Sequence, residues 1–482
     1  MGRRVFAFCG MIPAIGLVWA ACATGCSSSS SPPGGDGGTN PIGPVTFHKD
    51  VQPILQAHCQ QCHTEGGIAP FVLKTYDQAK TWSGSIVSDT SKRVMPPFGA
   101  QETSECTPRF GWKHDARLSQ REIDVLAAWQ QQGTPQGDPK DAKPDPSYAL
   151  DPLPNKTAEL APQQPWTLTD TTKDSFRCVV LDPKITQTTW VNGVAFLPGN
   201  KAISHHAVLF IDPDGESKAK AGPDGTYECF GSANLKNQGL LGAWAPGAPP
   251  RDYPSNIGME LKPGTLIVAQ MHYHPSSDAN ANKQPDPFKL QLRATTTQPE
   301  YNLVFALIGN FAQPLQNGTG IYADPGDPNA LSSFKIPANT KDKTVTMRFT
   351  LPPMINNAPT PHLYIYGVGA HMHYVGVKEN VTIHRAIPTG DDPKDECLLS
   401  VPRWDFNWQQ AYAYDVPDIT KLPGMSPFDS FDIKCTYDNT MGNPFVVGAL
   451  KDQGLSQPRD VNLGETTLDE MCLGVFEAVY KK

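Results

Sequence analysis

Two groups of residues in this sequence are spaced for metal chemistry. Cys59-Gln60-Gln61-Cys62-His63 has the C-x-x-C-H spacing, in which two thiols can form thioethers to haem vinyl groups while the next imidazole reaches the iron. Further on, nine of the twelve histidines follow residue 113, and most fall into three groups: His205 with His206, His272 with His274, and His371 with His373. Alternate residues of a strand share a face, so each H-x-H pair can present two imidazoles to one ion. Adjacent His205 and His206 would point to opposite faces of a regular strand, so a shared ion there requires a bulge or a strand end. Imidazole pairs on sheets suit copper or zinc. One such pair alone is as readily a hydrogen-bonded interior histidine, but three in one block carry more weight.

The haem-type motif needs a helix to bring its cysteines and histidine to one face. Val51, Ile54 and Leu55 supply the apolar stripe of a helix leading into it. No second cysteine pair follows at zinc-site spacing. Met95, in Val94-Met95-Pro96-Pro97, is the expected second axial ligand, because prolines stiffen its loop and a thioether raises the potential; His114 is the competing residue. Ser119-Gln120-Arg121-Glu122 is a capping box opening an amphipathic helix through Trp129, which Gly133 ends. Residues 45–133 therefore resemble a small all-α class I cytochrome c domain, a carrier of single electrons, with the closing helix packed on the leading one.

The rest of the chain must position the histidines. Its 482 residues exceed one hydrophobic core, so two or three domains are expected. With 47 Pro, 41 Gly and 39% hydrophobic residues, the composition suits turn-rich, mainly β structure. Residues 27–44 read as a flexible linker and 134–165 as a Pro-rich one. From residue 166 onward, short alternating apolar runs bounded by Gly, Pro, Asn and Asp predict antiparallel sheets, split near Thr297 into 166–296 and 297–482. A net charge of −8, with 18% charged residues and no Lys or Arg run, argues against a nucleic-acid partner or a polybasic membrane surface.

Residues 1–26 read as an export signal, with Arg3 and Arg4 ahead of an apolar run. Ala23-Thr24-Gly25-Cys26 followed by serines resembles a lipoprotein lipobox, with Cys22 as a rival lipidation site and an ordinary cleaved signal as the alternative. Either predicts an exported, periplasmic protein, and the lipobox reading adds a lipid anchor as its membrane contact. No other apolar run approaches the roughly 20 residues of a membrane-crossing helix. An oxidising compartment lets the other cysteines serve as disulfides or haem attachments.

Five segments, in order, carry a closer likeness: Ser204-His205-His206-Ala207, Ala243 to Pro250, Gln270-Met271-His272-Tyr273, Ala370-His371-Met372-His373, and Thr467-Leu468-Asp469-Glu470-Met471-Cys472. Over about residues 166–480 the chain resembles the copper type II ascorbate-dependent monooxygenases. The resemblance implies two tandem jelly-roll-like antiparallel β-sandwiches holding two copper ions. His205, His206 and His272 would hold the copper that stores and relays an electron. His371, His373 and Met471 would hold the copper where O2 meets substrate, making these three the catalytic residues. Ligand chemistry agrees, since a soft thioether favours Cu(I) whereas imidazoles tolerate both oxidation states. Hydroxylation consumes two electrons beyond those of the C–H bond and one copper supplies one, so two are needed. The likeness also implies disulfides Cys178–Cys229 and Cys435–Cys472. Cys106 and Cys397 remain unassigned, a bridge between them being conceivable.

Departures from the family narrow the substrate. Its peptide-amidating members carry an Arg, which grips a carboxylate, two residues before the first H-x-H ligand; that position here is Gly369. Their tyrosine and asparagine after the ligand Met are replaced by Val475 and Leu473. The expected substrate is small and neutral or apolar. His274, His362 and His384 are expected to be structural or solvent-facing. The resemblance, taken with the haem motif, implies O2-dependent C–H hydroxylation with electrons from a periplasmic donor passing through one covalent haem c. The alternatives are a non-catalytic electron-transfer or copper-binding protein on the same fold, and a zinc hydrolase, which Met471 fits badly.

Overall fold

The computed structural model describes residues 42–481 apart from 66–68, 147–152, 247, 277, 356 and 465–467. The signal segment 1–26 with Cys22 and Cys26, linker residues 27–41, Gly247 and Thr467 lie outside the described residues. The chain is mainly β, with 35% strand and 14% helix, in several antiparallel sheets.

Between residues 45 and 133 the named elements are helical. A π-helical turn, Phe47–Val51, runs into α1 (Gln52–His58), and α2 (Tyr76–Thr81), α3 (Ser83–Ser91) and α4 (Gln120–Gln131) follow. Val51 and Leu55 are fully buried and Ile54 nearly so, as the stripe predicts. The predicted capping box is present: Ser119 accepts from the Glu122 amide while Glu122 accepts from that of Ser119, pairing two amides otherwise orphaned at the helix start. Gly133, at φ 83°, ends α4 in a conformation that costs glycine little. Trp129 of α4 packs on Phe47 with ring centroids 6.1 Å apart, and Glu122 lies 3.2 Å from His58 of α1.

The long strands are β1 (Ser175–Leu181), β2 (Thr189–Leu197), β3 (Ser204–Asp212), β4 (Gly239–Trp244), β5 (Ile257–Leu261), β6 (Leu266–Tyr273) and β7 (Lys289–Thr295). They continue with β8 (Tyr301–Gly309), β9 (Thr340–Thr350), β10 (Leu363–His371), β11 (Gly376–His384), β12 (Asp395–Val401), β13 (Ser430–Asn439) and β14 (Leu473–Lys481). One five-stranded sheet has the order Thr226–Glu228, β1, β6, β3, β4. A second, of ten strands, runs Ala158–Leu160, β7, β2, β5, β8, β14, β10, Ala411–Ala413, with two short strands off this path. The third has the order Gly320–Ile321, β9, β13, β11, β12. Burial alternates along most of β13, the mark of a strand with one face inward, whereas β6 is buried at every position because it is central and covered on both faces.

The ten-stranded sheet crosses the sequence-predicted division at Thr297, because β8 pairs in parallel with β5 at Tyr301↔Ile257. Residues 98–118, between α3 and α4, lie on the β part. Trp112 stacks on Tyr414 at 4.8 Å, Lys113 N donates to Ala413 O at 2.8 Å, and Ala100 and Trp112 share the core of the sheets. Cys106 is bridged to Cys397 of β12, which closes the pairing the sequence left open. Cys178–Cys229 and Cys435–Cys472 are also bonded. No helix among the described residues is long and apolar enough to cross a membrane.

Candidate metal and haem sites

Three histidines from two paired strands converge beside β1. His206 of β3 is the register partner of His272 of β6, and the register slips between Ser204 and His206. The slip is the irregularity that adjacent histidines require to share a site: it lets His205 and His206 turn the same way. His205 Nδ1 is 3.2 Å from His206 Nδ1, and His272 Nδ1 is 3.4 Å from the same atom. Two imidazole nitrogens each about 2.0–2.1 Å from one ion are about 3.3–3.6 Å apart by trigonal or tetrahedral geometry, so the spacing fits a common ion. One ligand atom from each of the three lies within 4.8 Å of the others.

The surroundings keep His205 and His206 neutral and place Asp174 behind His272. Burial, then the neighbouring His272 and His274, pushes the His205 pKa down to about 3. Burial likewise drives His206 far below its ordinary value. Neutral imidazole is the form that binds metal. The far nitrogen of His272, Nε2, is 3.1 Å from Asp174 Oδ2, although the ring is not well aligned for a strong bond. A carboxylate behind a ligating histidine fixes its tautomer and raises its basicity. Burial opposes the charge on Asp174, but the His272 and His274 rings outweigh it and hold the carboxyl below the usual range. Phe176 stacks on His272 at 4.3 Å and Phe406 on His205 at 5.4 Å. His274 is largely exposed and meets Asp174 at 2.6 Å, so it acts through that carboxylate.

The second group sits where β10 leaves its sheet. His371 ends β10 opposite Leu473 of β14, two residues past Met471. His371 Nδ1 is 2.8 Å from Gln409 Oε1, and His373 Nδ1 is 3.1 Å from the Asp469 carbonyl. With both Nδ1 atoms so engaged, the Nε2 edges are the ones offered to an ion. Burial lowers the His371 pKa, opposed by Gln409. Glu470 ties this group together: one carboxylate oxygen accepts from His373 N and from Met471 N (2.8 Å), the other from Val375 N (3.1 Å) and Gly376 N (3.2 Å). Burial pushes its pKa up to about 8 against those four donors. The Cys435–Cys472 bridge anchors the residue next to Met471 to β13.

His206, His272, His371, His373 and Met471 all line one cavity of about 220 Å³. Its remaining wall is mostly apolar, including Phe176, Trp244, Phe305 and Phe406. Phe406 stands between the groups, 5.4 Å from His205 and 6.3 Å from His373. Its neighbour Trp404 donates to the His373 carbonyl at 3.1 Å, and Arg403 donates to the carbonyls of Lys92 (3.1 Å) and Arg93 (2.6 Å), just before Met95. Asp174, Gln409 and the 403–406 stretch were not legible as site residues. The single hint is the alternation Trp404-x-Phe406-x-Trp408.

At the end of α1, Cys59 and Cys62 are the free cysteines among the described residues, in a chain whose other described cysteines are all bridged. Burial, then Cys62 and Glu122, pushes the Cys59 thiol up to about 12. His63 Nδ1 is 3.0 Å from the Phe71 carbonyl, and its Nε2 has no hydrogen-bond partner among the described residues. Such a carbonyl partner is the usual support of a metal-bound imidazole. Trp82, Val94 and Met95 expose 38%, 44% and 41% of their surface, so the segment bearing Met95 leaves apolar area that a flat apolar group would cover. Cys59, Cys62 and His63 fit haem attachment and one axial position. His114, the competing ligand, is exposed. His362 bonds Ser426 at 2.8 Å and His384 bonds Asp395 and Asp432, both structural roles.

No family model and no curated protein matches the chain. Among solved structures it is similar to the infectious bursal disease virus VP2 subviral particle, at 11% identity over 68% of this chain and 72% of that one, with a TM-score of 0.15. It is also similar to the infectious bursal virus derived T=1 particles, at 10% identity over 68% and 77% and the same TM-score of 0.15. Likeness at that level carries no argument about fold or function.

Proposed function

We propose that this chain is an exported copper- and O2-dependent monooxygenase that hydroxylates a C–H bond of a small neutral or apolar molecule. On this reading the β region forms two jelly-roll-like sandwiches, and residues 45–133 form a class I cytochrome c domain fed by a periplasmic donor. The observation that carries the proposal is the cavity shared by His206 and His272, two of the three imidazoles clustered at metal-ligand spacing, with His371, His373 and Met471.

Copper held at the two groups would supply single-electron steps and O2 activation, and haem held by Cys59, Cys62, His63 and Met95 would supply the electrons. The chain's own residues set the conditions. Burial keeps His205, His206 and His371 neutral and available as ligands. Asp174 and Gln409 fix ring orientation from behind, and Glu470 holds the backbone of His373 and Met471 in one unit. The aromatic side chains make the wall around the two groups mostly apolar.

Metal and haem counting tests the proposal first, with two coppers and one haem per chain expected. Fully reduced protein mixed with O2 and a candidate substrate should then reoxidise its haem at the rate of turnover and consume O2 only when substrate is present. Copper and haem without substrate-dependent O2 uptake would leave an electron-transfer or copper-holding protein. Zinc in place of copper would revive the hydrolase reading.

A further inference from the structure

The cavity contains one charged side chain other than histidine among its described lining residues, Arg251. Arg251 lies on the short strand Arg251–Asp252, paired to β2 at Val194, and its side chain is 16% exposed. One of its N–H groups is committed to Ala411 O, at 2.9 Å from Nη2, and Nε lies 3.1 Å from Glu477 Oε1. Glu477 is fully buried and also accepts from Tyr253 OH at 2.9 Å. A guanidinium has five donors in a planar fork, and Nη1 meets no protein acceptor among the described residues, so donors remain for a ligand in the cavity.

The stretch of β10 facing Ala411, whose carbonyl Arg251 holds, is closely packed. Ala411 is the register partner of Gly369, and a Cβ at Gly369 would stand 2.8 Å from Ala411 Cβ and 2.9 Å from Gln410 O. No side chain enters there without displacing its neighbours, and Arg251 reaches the Ala411 carbonyl from a different strand. Gly369 and His371 share a face of β10, roughly 7 Å apart along it, so a molecule gripped at Arg251 extends toward His371. Resting on the reading of this cavity as the substrate site, we infer that Arg251 is its specificity-determining anchor, donating to a neutral carbonyl oxygen of an otherwise apolar or aromatic substrate. Carbonyl is preferred to carboxylate because Glu477 already neutralises Arg251, and a second anion would bring an unpaired charge into a mostly apolar cavity.

The test is calorimetric titration of the full chain, copper-free and copper-loaded, with acetophenone, ethylbenzene and phenylacetate as probes. Acetophenone should bind about tenfold tighter than ethylbenzene, which matches its shape without the acceptor, and tighter than phenylacetate. Arg251→Met should abolish that preference while leaving ethylbenzene binding within about twofold. Because Arg251→Met strands the buried Glu477 carboxylate, the double variant Arg251→Met/Glu477→Gln serves as the folded control and should behave alike. Equal binding of acetophenone and ethylbenzene, stronger binding of phenylacetate, binding of no probe, or a carbonyl preference that survives in the double variant would overturn the inference. The copper-free titrations separate it from the oxygenase proposal, which fails by metal content or O2 uptake whatever the probes do.

Discussion

A histidine holds a metal well only if something stands behind the histidine, and for His272 that is the Asp174 carboxylate, 3.1 Å from its Nε2. Asp174→Asn keeps the shape but removes the negative acceptor, so copper affinity at the His205/His206/His272 cluster should fall about 10–100-fold, as read by titration of metal-free protein with copper. Affinity at the second group should not move. Glu470 makes the complementary prediction, since its carboxylate accepts four backbone N–H groups with no exposure to solvent. Above about pH 8, where Glu470 is ionised, Glu470→Gln replaces one acceptor oxygen by an NH2 and strands two buried amides, at a cost of about 1–3 kcal/mol each. Denaturant unfolding should show that loss, with weaker copper binding at His371, His373 and Met471. The histidines were legible in the sequence because imidazole is scarce and their pairings repeat. Asp174 and Arg251 were not, because acids and arginines are common and only the fold brings Asp174 behind His272 and Arg251 to the cavity.

At the scale of strands and helices, local chemistry explains what could be read in advance. The Ser119 box, the Val51/Ile54/Leu55 stripe and the Gly133 stop are short-range signals, and the helices form where they predict. The β-rich block was legible from alternation, and the need for a bulge at His205 from strand geometry. Pairings between distant strands were not, such as β8 with β5 across residue 297, because register over long loops leaves no local trace. One such pairing makes stability depend on pH. His384 of β11 sits between Asp432 of β13 and Asp395 of β12, and its pKa is raised mainly by the Asp432 hydrogen bond, against burial. A raised histidine pKa contributes stability that is complete below about 6.5, the unfolded value, and is lost as pH rises through the higher folded value. His384→Asn should therefore flatten the decline of stability with pH above about 6.5, as followed by urea denaturation across that window.

For the molecule as a whole, the helical segment and the sheets are joined by more than the chain between them. The Cys106–Cys397 bridge spans a sequence separation of 291, Arg403 grips the carbonyls of Lys92 and Arg93, and Trp112 enters the shared core. Cys106→Ser with Cys397→Ser should lower stability by roughly 2–5 kcal/mol and raise amide exchange across residues 98–118. The sequence read the Pro-rich 134–165 stretch as the link, and a leash of that kind would let the helical part wander. The bridge instead turns the interval from the Met95 loop to the paired histidines into a built dimension. If electrons cross it as proposed, their passage needs no diffusional search: its rate should be indifferent to glycerol in the wild-type protein and should slow with solvent viscosity once both cysteines are replaced.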